Sequence, residues 1–243
     1  MWRALAAAVG RRALPNRLCH AFMQALGAQR AALSFLPRLE DWQLLHATDE
    51  RALQAEAAQF TCANGPSLSA ALEVRPVLEH GLREDRCRST PRLSEELPDT
   101  QQVPALPLHS RHRPIGVICL YYTQRTQLTD ILVTHAQRAA NLALEELLRW
   151  RPVHASPACP RPVWTTDTRA ARWGRIHQAA ELVAAREDSA AANGLARLQE
   201  VSTREGLSLL DVADAFLQPA VAHQESLNAE GPRPLQALVS ESA

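Results

Sequence analysis

The chain has 243 residues, 46% of them hydrophobic and 21% charged, which places it among ordinary globular proteins of one large or two modest domains. Its 26 basic residues are all arginine and balance 26 acidic ones, so no global field draws it to nucleic acid or anionic lipid, and any polyanion site must be a local patch. Cys19, Cys62, Cys87, Cys119 and Cys159 are odd in number and widely spaced, and no apolar run reaches the ~18–20 residues that span a bilayer; a reduced, soluble, cytoplasmic protein without a disulfide framework is expected.

Arg3, Arg11, Arg12, Arg17, Arg30 and Arg38 precede the first acid, Glu40, a pattern superficially like a transit peptide. The apolar stretch 4–9 is too short for a signal core, so a first helix of a folded domain is the better reading. Residues 14–26 predict that helix, with Leu18, Phe22 and Leu26 on one face. Residues 31–36 and 42–47 predict strands around a turn at 37–41. Residues 49–58 predict a helix capped by Thr48 or Asp49. Asn64-Gly65-Pro66 reads as a turn or helix start, and 67–72 as a short helix. Ile115-Gly116-Val117-Ile118-Cys119-Leu120-Tyr121-Tyr122 is the strongest strand, apolar throughout and hence covered on both faces. Gly116 would permit a close backbone approach or a bulge. Thr129 opens a long helix to Trp150. Helices around a covered sheet make an α+β domain over 11–150.

Pro152, Pro157, Pro160 and Pro162 exclude helix and mark a linker over 151–170. From Trp173 the period changes to 3.6. Ile176, Ala179, Ala180 and Val183 form one helical face, and Ala191, Leu195, Leu198 and Ser202 a second, ended by Gly206. Ser208 to Asp211 has the spacing of a capping box, and Leu209, Val212, Ala213 and Phe216 face inward on a third helix. A small all-α three-helix module over 171–218 is expected, followed by a disordered tail over 219–243.

The segment Ala58-Gln59-Phe60-Thr61-Cys62-Ala63-Asn64-Gly65-Pro66-Ser67-Leu68-Ser69-Ala70, followed by Arg75-Pro76-Val77, resembles the sensor stretch of GAF–ANTAR proteins. Residues 114–122 and the helix begun at Leu128-Thr129 resemble the same GAF domain's central strand and closing helix. The resemblance implies a GAF-like antiparallel sheet flanked by helices, which senses a small molecule or a partner. It also implies a homodimer paired through the first and last helices, and a ligand cavity shaped by Phe60, Cys62, Asn64 and Pro66. Ile176-His177-Gln178-Ala179, Arg186, Leu195-x-x-Leu198 and Leu209-x-x-Val212-Ala213 resemble the three-helix ANTAR family. That resemblance implies binding of stem-loop RNA to control transcription termination, with Arg175, Arg186, Arg197 and Arg204 as phosphate contacts. Glu181, Gly194 and Gln199 depart from the pattern, which has a small residue, Ala and often a basic residue there.

Plainer readings stand beside these. Residues 173–217 carry four arginines against seven acids, a net of minus three, and RNA binding relies on cationic contacts that release counterions. Glu200 could bridge Arg197 and Arg204 in a solvated ladder worth a few tenths of a kcal/mol per pair. Phe60 could simply pack in the core, Asn64-Gly65-Pro66 be turn chemistry, and Cys119 a small buried hydrophobe. Cys62 with His46 or His80 lies in no nucleophile motif, and His109-Ser110-Arg111-His112 reads as a polar loop lacking a Cys or acidic ligand. No catalytic residue, metal or cofactor is therefore expected. The alternative to an RNA-binding output is a degenerate module that docks proteins. A DNA-reading helix-turn-helix is weaker still, because Leu209, Leu210 and Phe216 leave little polar surface.

Overall fold

In the computed structural model, residues 14–36, 41–80, 93, 97–110, 113–149 and 168–218 are described. The arginine-rich start at 1–13, most of the turn at 37–41, the proline-rich stretch from 151 to 167 and the tail at 219–243 lie outside the described residues. The chain divides into two compact units, Met1–Ala171 and Arg172–Ala243. Among the described residues no helix is long and apolar enough to cross a membrane.

The apolar spacing in the first predicted helix places Leu18, Phe22 and Leu26 on the buried side of α1 (Leu14–Leu26). Strands β1 (Arg30–Phe35) and β2 (Gln43–Ala47) follow as an antiparallel pair. Helix α2 (Glu50–Cys62) begins where Asp49 Oδ1 accepts a hydrogen bond from Ala52 N at 2.8 Å, and it ends at Ala63 in the left-handed conformation. It runs four residues past the expected end at Ala58, because burial of Gln59 and Phe60 outweighs the weak helix preference of Thr61 and Cys62. Helix α3 (Pro66–Glu73), strands β3 (Val77–His80), β4 (Gln102–Ser110) and β5 (Arg113–Tyr121), and helix α4 (Asp130–Arg149) follow.

The five strands form one sheet in the order β2-β1-β5-β4-β3, antiparallel at every pairing. The apolar strand β5 is its centre, as a strand covered on both faces should be. Leu106, Leu108, Ile118 and Leu120 pack with Leu18, Phe22, Ala140 and Leu144 in an apolar layer under α1 and α4. The alternate residues Cys119 and Tyr121 meet α2 and α3 on the other face. A Cβ at Gly116 would come within 2.4 Å of the Ser34 carbonyl oxygen, so the expected close approach is real.

Strand β4 was not legible. His109 and Ser110, read as part of a loop, end this strand, and Pro104 and Pro107 argue against a strand in sequence. β3 pairs with Gln102–Ala105 only, so Pro107 lies past the end of β3, opposite Val117 of β5 alone. Its carbonyl accepts a 2.7 Å hydrogen bond from the Gln137 side chain of α4.

The second unit contains α5 (Thr168–Arg186) from Arg172 onward, α6 (Ala191–Glu205) and α7 (Leu209–Leu217). All the inward positions expected on the three helices are buried except Ala191, which is exposed in the first turn of α6. Gly206 closes α6 at φ 69°, Ser208 Oγ accepts from Asp211 N at 3.1 Å, and buried Ser202 donates to the Leu207 carbonyl at 2.7 Å. A Cβ on Gly194 would lie 2.0 Å from the Ala180 carbonyl oxygen and 3.0 Å from Ala184 N. Helices α5 and α6 therefore touch backbone to backbone, which is the steric reason for glycine at a position where the resemblance implies alanine. Gly194→Ala gains about 1 kcal/mol of helix propensity and loses about 1–3 kcal/mol to overpacking. A net loss of stability is expected in urea unfolding followed by far-UV circular dichroism, and an unchanged or raised midpoint would refute this account.

Candidate functional site

Helix α2 buries Ala52, Leu53 and Phe60 along one stripe, and Glu56 occupies the middle of that stripe with 1% of its surface exposed. Glu56 Oε1 accepts hydrogen bonds from Tyr121 Oη at 2.7 Å, Ser67 Oγ at 3.1 Å and Gln59 Nε2 at 3.5 Å. Ser34 Oγ lies 3.2 Å from Oε2. A single carboxyl thus joins α2, α3, β1 and β5. Burial drives its pKa above the ordinary 4.5, although the hydrogen bonds from Tyr121, Ser67, Ser34 and Cys119 pull the other way. The same burial, with Glu56 beside it, pushes the Cys119 thiol up, and burial with Cys119 and Glu56 raises the Tyr121 phenol. Cys119 is buried as expected, but it belongs to a polar cluster rather than an apolar layer.

Gln59 has a second task. Its Oε1 accepts from Ser67 N at 2.8 Å, so a side chain of α2 caps the start of α3. Gly65 carries φ 133°, and a Cβ there would strike Gln59 Oε1 at 2.6 Å. Glycine is therefore required twice over, for the backbone angle and for the space that Gln59 fills. Pro66 follows at the first helical position, where its missing N–H costs nothing.

The four residues expected to shape a ligand cavity are not brought together. Phe60 is buried with its ring 5.5 Å from that of Trp42, and Pro66 is buried at the start of α3. Cys62 and Asn64 are exposed, and Asn64 Oδ1 accepts from Gly65 N at 2.8 Å. A cavity of about 30 Å3 lined by Phe35, Leu45, Leu108, Ile115, Leu144 and Leu147 lies on the opposite face, under α4. The polar cluster of Glu56, Gln59, Ser67 and Tyr121 was missed in sequence. Its signal was present: a carboxylate at the i+3 position from Leu53 and i−4 from Phe60 interrupts an otherwise apolar stripe. Cys62 is exposed whereas His46 is buried 3.1 Å from Asn16 of α1, and among the described residues no group of three or more His, Cys, Asp or Glu side chains could hold a metal ion.

Beside the cluster, Arg30 next to Tyr121 in the sheet register donates to Asp49 and Asp99, each at 2.9 Å, and Arg51 reaches Asp99 at 3.2 Å. This clamp ties β1, the start of α2 and the turn before β4 together. Burial opposes the charge of Asp99, but the Arg30 hydrogen bond and the charges of Arg30 and Arg51 hold its pKa below the ordinary 3.8.

In the second unit every arginine considered as a phosphate contact is engaged within the module. Arg175 pairs with Asp214, which also binds Arg172 at 3.0 Å, and Arg172 reaches Asp211 at 2.8 Å. Arg197 lies 3.5 Å from Glu187 and 3.0 Å from Glu200. Arg204 pairs with Glu205 at 3.0 Å, so the pairing of Glu200 with both arginines does not form; Glu200 holds Arg197. Arg186 stacks 4.9 Å above the Phe216 ring.

The Asp99 clamp has a defined pH dependence. A carboxylate whose folded pKa is lowered adds stability that is fully present above its unfolded value and is lost as pH falls through the folded one. Asp99→Asn is therefore expected to flatten the acid limb of the stability profile below about pH 4, measured by urea titration at stepped pH. An acid limb identical to that of the parent would exclude the clamp as its source.

Solved structures resemble the chain, and three of them illustrate the likeness. A type II free methionine-R-sulfoxide reductase from Thermoplasma acidophilum has 12% identity and a TM-score of 0.44, over 62% of this chain and 96% of that one. The GAF domain of an Acinetobacter phosphoenolpyruvate-protein phosphotransferase has 8% identity and a TM-score of 0.45, over 61% and 90%. The GAF domain of a two-component sensor histidine kinase from Bacillus halodurans has 11% identity and a TM-score of 0.39, over 53% and 89%. No curated protein matches the chain. Residues 13–147, more than half of the 243, match the GAF domain family, with the helices and antiparallel five-stranded sheet described above; the chain belongs to that family.

Proposed function

We propose that the chain is a signal-responsive regulator, non-enzymatic and cytoplasmic, acting as a homodimer. Its GAF domain, 11–150, senses a small molecule or a partner, and a linker, expected over 151–170 but ended by the start of α5 at Thr168, joins it to an ANTAR-like output module. Family membership supports the sensing role, since GAF domains serve small-molecule and signal sensing. The ANTAR-like reading of the module is supported by the three helices and their buried faces, and it brings stem-loop RNA and control of transcription termination with it.

One observation favours the second reading of the output, a module that docks protein instead of RNA. Arg175, Arg197 and Arg204 each have a carboxylate within ion-pair distance, in a segment with four arginines and seven acids. Exposed ion pairs are worth only about 0–1 kcal/mol and would yield to a phosphate. The carboxylates, however, would remain beside it and repel it. Few counterions would be released on binding, and that release is the main source of affinity for a polyanion. Arg186 over Phe216 is the remaining cation among the four.

Titration of the full chain against structured RNA hairpins at low salt separates the two outputs. The protein-docking reading expects no shifted hairpin in a gel, for the parent or for the Arg197→Ala, Arg204→Ala double variant. A shift that weakens steeply with salt, and further in the double variant, would establish the RNA reading in its place.

A further inference from the structure

The Glu56 carboxyl lies where a charge is costly, and its hydrogen-bond partners are all neutral. From β5 it faces Cys119 and Tyr121, from β1 Ser34, from α3 Ser67, and from its own helix Gln59. Arg30, on the same face of β1, is bound by Asp49 and Asp99. Glu73 of α3 stands at that helix's far end, paired with Arg75. A buried carboxyl without a cation is stabilised by keeping its proton. The contact of Ser34 with Oε2 serves either state: the carboxyl proton donates to the hydroxyl, or the hydroxyl donates to a carboxylate.

Helix α3 buries Leu68, Ala70 and Ala71 against the sheet, but its first turn is fixed by this cluster. It has eight residues, which is too few for independent stability. Its N-terminal Gly65 supplies no side-chain cap; the cap comes from Gln59, and Ser67 binds Glu56 directly. Its other end is Val74 at φ 51°, a left-handed conformation that a β-branched residue adopts only under strain. Leu72 beside it is 73% exposed. A short helix with a borrowed cap and a strained end is the type of segment that opens locally before the rest of a domain.

We propose that Glu56 is a proton-controlled latch on α3. Uncharged, it holds α3 against α2 and β5. Loss of the Oε2 proton to a base in solvent leaves a carboxylate that regains its hydration only when α3 moves off, so deprotonation opens that face of the sheet. The direction follows from linkage: the closed state keeps its proton to higher pH than the open state, so closure is complete below the carboxyl's ordinary 4.5 and weakens as pH rises.

Native-state hydrogen exchange of the full chain, between pH 5 and 8 and corrected for intrinsic exchange, tests this. The opening constant of the α3 amides is expected to rise by up to about tenfold per pH unit, at a lower opening free energy than for amides of β1 and β5. Glu56→Gln has the same shape without a titrating proton, so it should fold and its α3 opening should be flat with pH. Tyr121→Phe keeps the titrating group, so α3 should open more at every pH with the slope preserved. A flat profile in the parent, a slope that persists in Glu56→Gln, failure of that neutral isostere to fold, or α3 opening only together with β1 and β5 would each overturn the latch.

Discussion

A carboxyl group buried among hydroxyls, an amide and a thiol governs how α2, α3, β1 and β5 can meet. The cost of burying such a group is met by donors that must arrive from four elements at once. Each arrival constrains the chain locally. Gln59 must reach both Glu56 and the start of α3, Gly65 must leave room for it, and Pro66 must begin the helix without an N–H to satisfy. Within the segment 58–70 that carries the GAF resemblance, Gln59, Gly65, Pro66 and Ser67 are accounted for by this chemistry. They form the joint between two helices, built around one amide side chain.

The two faces of the sheet differ because of this joint. Under α1 and α4 the contacts are apolar and non-directional, and that layer tolerates approximate shapes. Under α2 and α3 apolar packing by Leu53, Phe60 and Leu68 is joined by hydrogen bonds with fixed distances, which specify one arrangement and respond to protonation. The Arg30–Asp49–Asp99 clamp adds charge at the edge of that polar face, next to Tyr121. A face whose apolar packing is interrupted by a titratable, hydrogen-bonded cluster is better suited to adopt a second state than one held by continuous hydrophobic packing.

The second unit shows the same contrast between pattern and partner. Its helices and their inner faces follow from a 3.6-residue repeat, and the contact of Gly194 with the Ala180 backbone sets how closely two of them approach. Its surface is settled by pairing. Asp214 takes both Arg172 and Arg175, and Glu187 and Glu200 take Arg197, so these arginines act first as ties between α5, α6 and α7. Net charge and the Arg197–Glu200 spacing could be read along the chain, but the pairing of Arg172 and Arg175 with Asp214 and of Arg204 with Glu205 could not.

The amino-acid sequence by itself determined the elements whose signal is local. These are α1, β1, β2, the helices α2 and α3, the central strand β5, the long helix α4, a cap at Thr48 or Asp49, and the three C-terminal helices with the stop at Gly206 and the cap at Ser208. Periodicity, capping residues and turn residues act within a few positions, so one chain suffices to read them. Only the tertiary structure decided the rest. Strand β4 carries two prolines, Pro104 opposite Leu78 of β3 and Pro107 beyond the end of β3. The polar cluster joins residues 34, 56, 59, 67, 119 and 121, which are distant in the chain. Whether Glu56 sits in water or in the core depends on whether Tyr121, Ser67 and Ser34 arrive beside it, and that is a property of the packed sheet, not of any segment.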